Sequence, residues 1–136
     1  DAPATADLNT DVWLGDSMGE MPLYYAMADV ALLGGSFAPL GGQNLIEAAA
    51  CGCPIVMGPH TFNFAEAGEL VQAAGAGQRV AGMAEGVAAA LGMAGDEKRR
   101  TQVARQARDF AGQHRGAAVR MAAGIAALMV GDGKAE

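Results

Sequence analysis

Residues 29–47 read DVALLGGSFAPLGGQNLIE, and this stretch decides the fold. The apolar run that ends at Leu33 is typical of a strand buried on both faces of a sheet. A loop with four glycines follows, and residues 43–51 return to helical spacing before Gly52, a natural C-terminal stop for a helix. The stretch therefore predicts a strand, a glycine-rich loop and a helix.

Similar patterns lie on both sides of this unit. Short apolar runs predict further strands at residues 12–14, 54–57 and 78–80. Helical spacing predicts helices at residues 21–28, 64–74, 82–93 and 97–130, the last one broken into two by Gly112 and Gly116. Alternating strands and helices indicate an α/β fold, a Rossmann-like parallel sheet with helices on both faces, followed by Ala-rich helices.

The length and composition place this sheet in one domain. The chain has 136 residues, of which 51 % are hydrophobic and 18 % charged, so it is neither a disordered chain nor a membrane protein. A chain of this length is too short for two domains with separate cores. Four short strands make a thin sheet, so we expect a domain that is truncated on its N-terminal side.

Charge is distributed unevenly along the chain. Residues 1–78 contain nine acidic and no basic residues, whereas residues 79–136 contain nine basic and six acidic ones. A segment of charge −9 repels phosphate backbones, which excludes nucleic acid as a partner of the first half. Any phosphate bound there has to be held by backbone amides. The arginines of the second half indicate a solvated helix face or, alternatively, a contact with an acidic partner or a membrane surface.

The cysteines, the first residues and the apolar runs argue against three further features: a zinc site, a signal peptide and a membrane span. Cys51 and Cys53 are the only cysteines, so a four-cysteine zinc site is excluded and reduced, structural thiols are expected. The first residues include Asp1, Asp7 and Asp11 and do not resemble a signal peptide. The longest apolar stretch, residues 117–130, is too short to span a bilayer.

The glycine-rich loop is the best candidate for a binding site. In an open parallel sheet, ligands bind outside the carboxyl ends of the strands, and glycines let a ligand approach the backbone. Free amides at the start of the following helix would attract an anion. Glu47 lies one helical turn after Asn44, where a carboxylate can accept hydrogen bonds from both hydroxyls of a ribose. An ordinary exposed helical glutamate is an equally weighted interpretation.

Several motifs in combination resemble one family. They are GDSMGE at residues 15–20, YYA at 24–26, ADV at 28–30, GGS at 34–36, GGQNL at 41–45, EA at 47–48, GPH at 58–60 and NF at 63–64. Together they resemble the C-terminal domain of 3-deoxy-D-manno-octulosonic acid (Kdo) transferases, and the resemblance runs from about residue 12 to the C-terminus. That family has the GT-B arrangement of two Rossmann-like domains facing a cleft.

The resemblance implies a function for the chain. Family members transfer Kdo from CMP-Kdo to a lipid A precursor at the cytoplasmic side of the bacterial inner membrane, and the C-terminal domain holds the donor. It implies no metal and no cofactor. The general base lies in the N-terminal acceptor domain, so no catalytic residue is expected in this chain, and the fragment alone is expected to be inactive.

The same resemblance assigns donor-binding residues, with one departure. The phosphate side would be bound by Gly41, Gly42 and Asn44, the ribose by Glu47, and the surrounding loops would be formed by Gly34, Gly35, Ser36, Met18, Gly19, Glu20 and His60. Gln43 stands where the family usually has His, and an amide cannot carry a proton or a positive charge near pH 7. His60 is either a donor contact or an ordinary hydrogen-bonded loop residue.

Two other functions stay open. Another GT-B transferase that uses a different nucleotide sugar would share the glycine-rich loop and the glutamate. A non-catalytic nucleotide-binding module would share the fold alone. Binding of CMP compared with UDP distinguishes the first alternative, and Kdo transfer by the completed enzyme distinguishes the second.

Overall fold

The computed structural model describes residues 9–131, whose centre is a three-stranded parallel sheet. The strands are β1 (Ala31–Leu33), β2 (Ile55–Met57) and β3 (Gly77–Arg79), and they lie side by side in that order. The register pairs Leu32 with Val56 and Val56 with Gln78. The predicted α/β class and its parallel sheet are confirmed.

Five α-helices accompany the sheet among the described residues. They are α1 (Met21–Met27), α2 (Leu45–Ala50), α3 (Ala65–Ala73), α4 (Met83–Gly95) and α5 (Glu97–Gly131). Two short 3-10 turns, Gly34–Ser36 and Phe62–Phe64, lie in the loops that follow β1 and β2. The predicted helices all occur, with ends that differ by at most two residues from the predicted ones.

The helices cover both faces of the sheet because successive strand residues point to opposite sides. Ile55 and Met57 of β2 lie in one buried cluster with Leu45 of α2 and Val71 of α3. On the other face α4 approaches closely, since a Cβ added to its Gly86 would lie 3.2 Å from Leu32 Cδ1. The sheet is therefore the middle layer of three, and its carboxyl edge stays accessible to the loops.

The predicted strand at residues 12–14 is wrong. These residues form no regular element, and Val12 and Leu14 are 84 % and 83 % exposed. A run of three apolar residues predicts a strand only if a neighbouring strand pairs with it. Within residues 9–131 the sheet ends at β1, and nothing pairs with the run.

The predicted break in the last helix is also wrong. Helix α5 runs without interruption through Gly112 and Gly116 for 35 residues. A glycine inside a helix costs about 1 kcal/mol relative to alanine, but it removes no hydrogen bond. The neighbouring Ala, Arg and Gln residues are strong helix formers, and no proline interrupts them.

Candidate donor-binding site

The loops after β1 and β2 are joined at the carboxyl edge of the sheet. Ser36 is fully buried, and its hydroxyl donates to the Leu33 carbonyl at 2.6 Å and accepts from the Gly58 amide at 2.7 Å. The His60 amide donates to the Ser36 carbonyl at 2.9 Å. Ser36 therefore holds the two loops together, and its buried side chain is not free to touch a ligand.

Gly41 and Gly42 form the turn that leads into α2. Both have left-handed backbone conformations, with φ of +93° and +85°, which side chains adopt only at a cost. The Gly42 amide donates to the Gly35 carbonyl at 3.2 Å, and the Gly41 carbonyl accepts from the Asn63 amide at 3.1 Å. The predicted phosphate-side turn is thus held against both neighbouring loops.

The prediction of free amides at the start of α2 is wrong for two of them. Asn44 caps the helix, and its Oδ1 accepts hydrogen bonds from the amides of Ile46 at 3.1 Å and Glu47 at 3.4 Å. The amides of Gln43 and Asn44 donate to no other residue in the described part of the chain. An anion at this turn would meet those two amides and the side chains around them.

Four polar side chains around this turn keep unused hydrogen-bonding capacity. Gln43 uses its Oε1 to accept from the Gly35 amide at 3.4 Å, which leaves its NH₂ group free. Asn44 likewise keeps its Nδ2 group, while the Glu47 carboxylate and the His60 imidazole have no hydrogen-bond partner within residues 9–131. Gln43 and Asn44 are exposed, and Glu47 and His60 are half-buried.

Glu47 also faces the core residue Tyr25 of α1. Burial raises the pKa of the Tyr25 phenol, and the negative charge of Glu47 raises it further. The Glu47 carboxylate therefore lies close enough to Tyr25 of α1 to act on its charge.

The segment from Met18 to Glu20 forms no hydrogen bond with the loops that follow β1 and β2 in the described part of the chain. The Glu20 carboxylate accepts hydrogen bonds from the Ser17 hydroxyl and, at 2.8 Å, from the Tyr24 hydroxyl, and these bonds lower the pKa of Glu20. Met18 is 99 % exposed, and Gly19 has φ of +84° in open space. Within the described residues, none of the three shares a hydrogen bond with the glycine-rich loop.

Sequence reasoning missed Arg79, which the structure brings to the same edge. Arg79 is the last residue of β3, and its guanidinium donates to the Thr61 hydroxyl at 2.9 Å and the Gly58 carbonyl at 3.4 Å. The expectation that no basic side chain lies near the site is therefore incomplete. A charged residue inside the predicted strand 78–80 was the signal that could have identified it.

The described residues contain neither a candidate metal site nor a candidate membrane-spanning helix. No cluster of three or more His, Cys, Asp or Glu side chains that could hold a metal ion occurs between residues 9 and 131. In that range no helix combines the length and hydropathy needed to cross a membrane.

Comparison with known proteins identifies close relatives. No protein-family model matches the chain. It is 51 % identical over 107 residues to a 3-deoxy-D-manno-octulosonic acid transferase of Bordetella pertussis, a match that covers 79 % of this chain and 25 % of the relative. The enzyme of the same name from Haemophilus influenzae is 52 % identical over 58 residues, which cover 43 % of this chain and 14 % of the relative.

A solved structure has the same fold. The crystal structure of the C-terminal CMP-Kdo binding domain of WaaA from Acinetobacter baumannii superposes with a TM-score of 0.69 at 32 % identity. The match covers 74 % of this chain and 53 % of that domain. The chain thus spans a quarter or less of the length of the two curated relatives and about half of the solved domain. By sequence the chain is a homologue of the Kdo transferases, and its fold matches part of the C-terminal CMP-Kdo binding domain of WaaA.

Proposed function

We propose that this chain is the nucleotide-sugar binding part of a Kdo transferase, a glycosyltransferase of the GT-B type, and that its donor is CMP-Kdo. Residues 1–136 would form part of the donor-binding domain. The acceptor, a lipid A precursor, and the general base would be held by an N-terminal acceptor domain. This assignment rests on the similarity to named Kdo transferases and to a CMP-Kdo binding domain.

One observation supports the proposal more than any other. The glycine turn at Gly41 and Gly42 is fixed between the loops that follow β1 and β2, and it lies beside side chains with unused donors and acceptors. The two residues after the glycines, Gln43 and Asn44, present backbone amides without a partner among residues 9–131, and the Glu47 carboxylate follows one helical turn later. Such a turn fits a ligand that has both an anionic and a hydroxyl-rich part.

The chemistry of each part of CMP suggests its position. The phosphate would accept hydrogen bonds from the free amides of Gln43 and Asn44 and from their side-chain NH₂ groups. Glu47, one turn further along α2, would accept from the two ribose hydroxyls. His60 would reach the donor from the β2 side. The second loop, Met18 to Glu20, would have to move or be supported by further residues to touch the nucleotide.

These groups would assist transfer by stabilising the leaving nucleotide. When Kdo departs, negative charge develops on the phosphate of CMP, and hydrogen-bond donors that are already aimed at it lower the barrier. Gln43 contributes a neutral donor in this account. No step requires a metal ion or a cofactor from this chain.

The location of the enzyme follows from its proposed acceptor. A lipid A precursor is embedded in a membrane, so we place transfer at the cytoplasmic side of the inner membrane. The exposed arginines of α5, which include Arg105, Arg115 and Arg120, could add a peripheral contact with anionic lipid. Flotation with anionic liposomes at low salt tests this contact, and an unbound chain would refute it.

A chimeric enzyme tests the function directly. The 107 aligned residues of the Bordetella pertussis relative would be replaced by those of this chain. We expect the chimera to transfer Kdo from CMP-Kdo to a lipid A precursor, and we expect the Glu47→Ala version to lose at least about tenfold in kcat/KM, since about 1.4 kcal/mol of binding is a factor of ten. The Glu97→Ala version, altered on an exposed face of α5, is the matched control.

The outcomes separate the alternatives. A chimera that folds and binds CMP but transfers no Kdo would favour a non-catalytic nucleotide-binding module. A chain that binds UDP more tightly than CMP would favour a transferase with another nucleotide sugar. Either result contradicts the proposal.

A further inference from the structure

Arg79 forms a junction between β3, α3 and the loop after β2. Its Nη1 donates to the Thr61 hydroxyl at 2.9 Å and the Gly58 carbonyl at 3.4 Å, while its Nη2 lies 3.2 Å from Glu69 Oε1. The side chain is 23 % exposed. One guanidinium on β3 thus contacts two other segments of the chain, the loop after β2 and α3.

The guanidinium of Arg79 packs closely against Gly68 of α3, where a larger residue would not fit. A Cβ added to Gly68 of α3 would lie 2.9 Å from Arg79 Nη2 and 3.2 Å from Thr61 Oγ1. Thr61 is only 5 % exposed, so its hydroxyl depends on Arg79 for a hydrogen-bond partner. Glu69 is 74 % exposed, and an exposed ion pair stabilises little. The important contacts are therefore those to Thr61 and Gly58.

Those two residues are the ends of the segment that contains His60. On the β1 side, the Gly58 and His60 amides are bound by Ser36. On the β3 side, Gly58 and Thr61 are bound by Arg79. The segment also touches the glycine turn, since a Cβ at Gly42 would lie 3.4 Å from the His60 carbonyl oxygen. Fixing residues 58–61 therefore fixes both His60 and one wall of the turn.

We infer that Arg79 is a positioning residue of the donor site, which holds the loop of residues 58–61 so that His60 and the Gly41–Gly42 turn face the nucleotide. The effect on the nucleotide rests on the proposed function, whereas the effect on His60 does not. A guanidinium suits this role because its planar fork donates to two acceptors at once. A lysine keeps the charge but has a single ammonium group on a flexible stem.

Nuclear magnetic resonance of the histidine side chains tests the inference without any ligand. The chain has two histidines, and His114 lies on α5 beside Phe110, far along the sequence from the loop. We expect Arg79→Met to shift the His60 ring resonances and to leave those of His114 in place. Arg99→Met is the matched control. Arg99 is an exposed arginine whose guanidinium donates to the Gln78 side chain of β3, and this substitution removes the same charge as Arg79→Met.

Titration with CMP tests the consequence for the donor site. We expect Arg79→Met to weaken CMP binding about tenfold, Arg79→Lys to weaken it two- to fivefold, and Arg99→Met to change it by less than twofold. The equal charge of the two methionine variants removes any general electrostatic effect on an anionic ligand. Thr61→Val, which removes only the hydroxyl, should reproduce part of the loss.

Three results would overturn the inference. One is an unmoved His60 signal in folded Arg79→Met, and another is a shift of equal size in Arg99→Met. The third is an Arg79→Lys variant that matches the wild type in both measurements, because then the planar fork of the guanidinium would play no part. If Arg79→Met does not fold, Arg79→Lys and Thr61→Val decide by the same signal. A wild-type chain that fails to bind CMP refutes the proposed function and leaves the histidine measurement valid.

Discussion

The buried hydroxyl of Ser36 accepts a hydrogen bond from the amide of Gly58 at 2.7 Å, which joins the ends of two neighbouring parallel strands. The same hydroxyl donates to the Leu33 carbonyl at 2.6 Å. Two backbone groups and one side chain are thereby satisfied in a place that water does not reach. The Ser36–Gly58 pair consequently sets the distance between the two loops that border the candidate site.

Replacing Ser36 by alanine should destabilise the protein. Ser36→Ala leaves the buried Gly58 amide without an acceptor, which costs about 2 kcal/mol in the free energy of unfolding. Chemical denaturation followed by circular dichroism measures this loss. Ser17→Ala is the control, because Ser17 is exposed and its hydroxyl binds the exposed Glu20. Its change in the free energy of unfolding should stay below about 0.5 kcal/mol. Equal stability of the two variants would contradict a structural role for Ser36.

Gly34 and Gly58 should respond differently to alanine. A Cβ at Gly58 would lie 2.5 Å from the Ser36 carbonyl oxygen, so Gly58→Ala should destabilise the protein by about 2–3 kcal/mol. Gly34 is exposed, and a Cβ there meets nothing within 4 Å. Gly34→Ala should therefore leave stability within about 0.5 kcal/mol.

The same Gly34 variant also tests ligand approach. If the nucleotide approaches the backbone at Gly34, the added methyl group weakens CMP binding severalfold even though the fold is unchanged. Calorimetric titration of folded Gly34→Ala with CMP provides the measurement. Unchanged affinity would remove Gly34 from the donor site.

Two substitutions of Asn44 separate its capping role from its proposed contact with phosphate. Asn44→Asp keeps the Oδ1 cap of α2 but replaces the Nδ2 donor by a negative charge. Its stability should match that of the wild type within about 0.5 kcal/mol, whereas its affinity for CMP should fall at least tenfold. Asn44→Ala loses the cap as well, at a cost of about 1 kcal/mol in stability. An Asp variant that binds CMP normally would exclude the side-chain amide from the site.

Cys53 should make stability depend on pH in the alkaline range. Burial raises the pKa of this thiol to about 11 from an ordinary value of 9.0. Because the folded protein retains the proton that the unfolded chain releases, stability is fully present below pH 9 and is lost as the pH rises towards 11. Denaturation curves between pH 8 and 11 measure the slope.

The thiols provide the comparison for this prediction. In Cys53→Ala the loss of stability between pH 9 and 11 should be smaller than in the wild type. Cys51 is half-buried and Cys53 is 1 % exposed, so a thiol reagent at pH 8 should modify Cys51 first. A slope in Cys53→Ala equal to that of the wild type would show that Cys53 does not titrate as its burial requires.

The sequence predicted those elements whose signal is local. Residues 30–33 and 54–57 are apolar throughout, as strands covered on both faces have to be, and β1 and β2 form there. The apolar run at residues 12–14 carried the same local signal without a pairing partner. A strand forms only where a second strand pairs with it, and the sequence of residues 12–14 alone does not show whether such a strand is present.

The residues of the candidate site also differ in whether local sequence could predict them. The glycine turn and Glu47 were identified from spacing, because the conformation of the glycines and the position of the carboxylate on α2 depend on the local sequence. Arg79 acts through residues that lie 18 and 21 positions earlier in the chain, and only the parallel pairing of β2 with β3 brings them together. The capping of α2 by Asn44 was also missed, since an asparagine before a helix fits a ligand contact as well as a cap.

The most direct test of the central claim is calorimetric titration of the wild-type chain with CMP, compared with UDP, Glu47→Ala and Glu97→Ala. The account predicts that the wild type and Glu97→Ala bind CMP with the same affinity, that UDP binds more weakly, and that Glu47→Ala loses at least about tenfold, or 1.4 kcal/mol. Absence of CMP binding in the folded wild type, or equal affinity in Glu47→Ala, would contradict it.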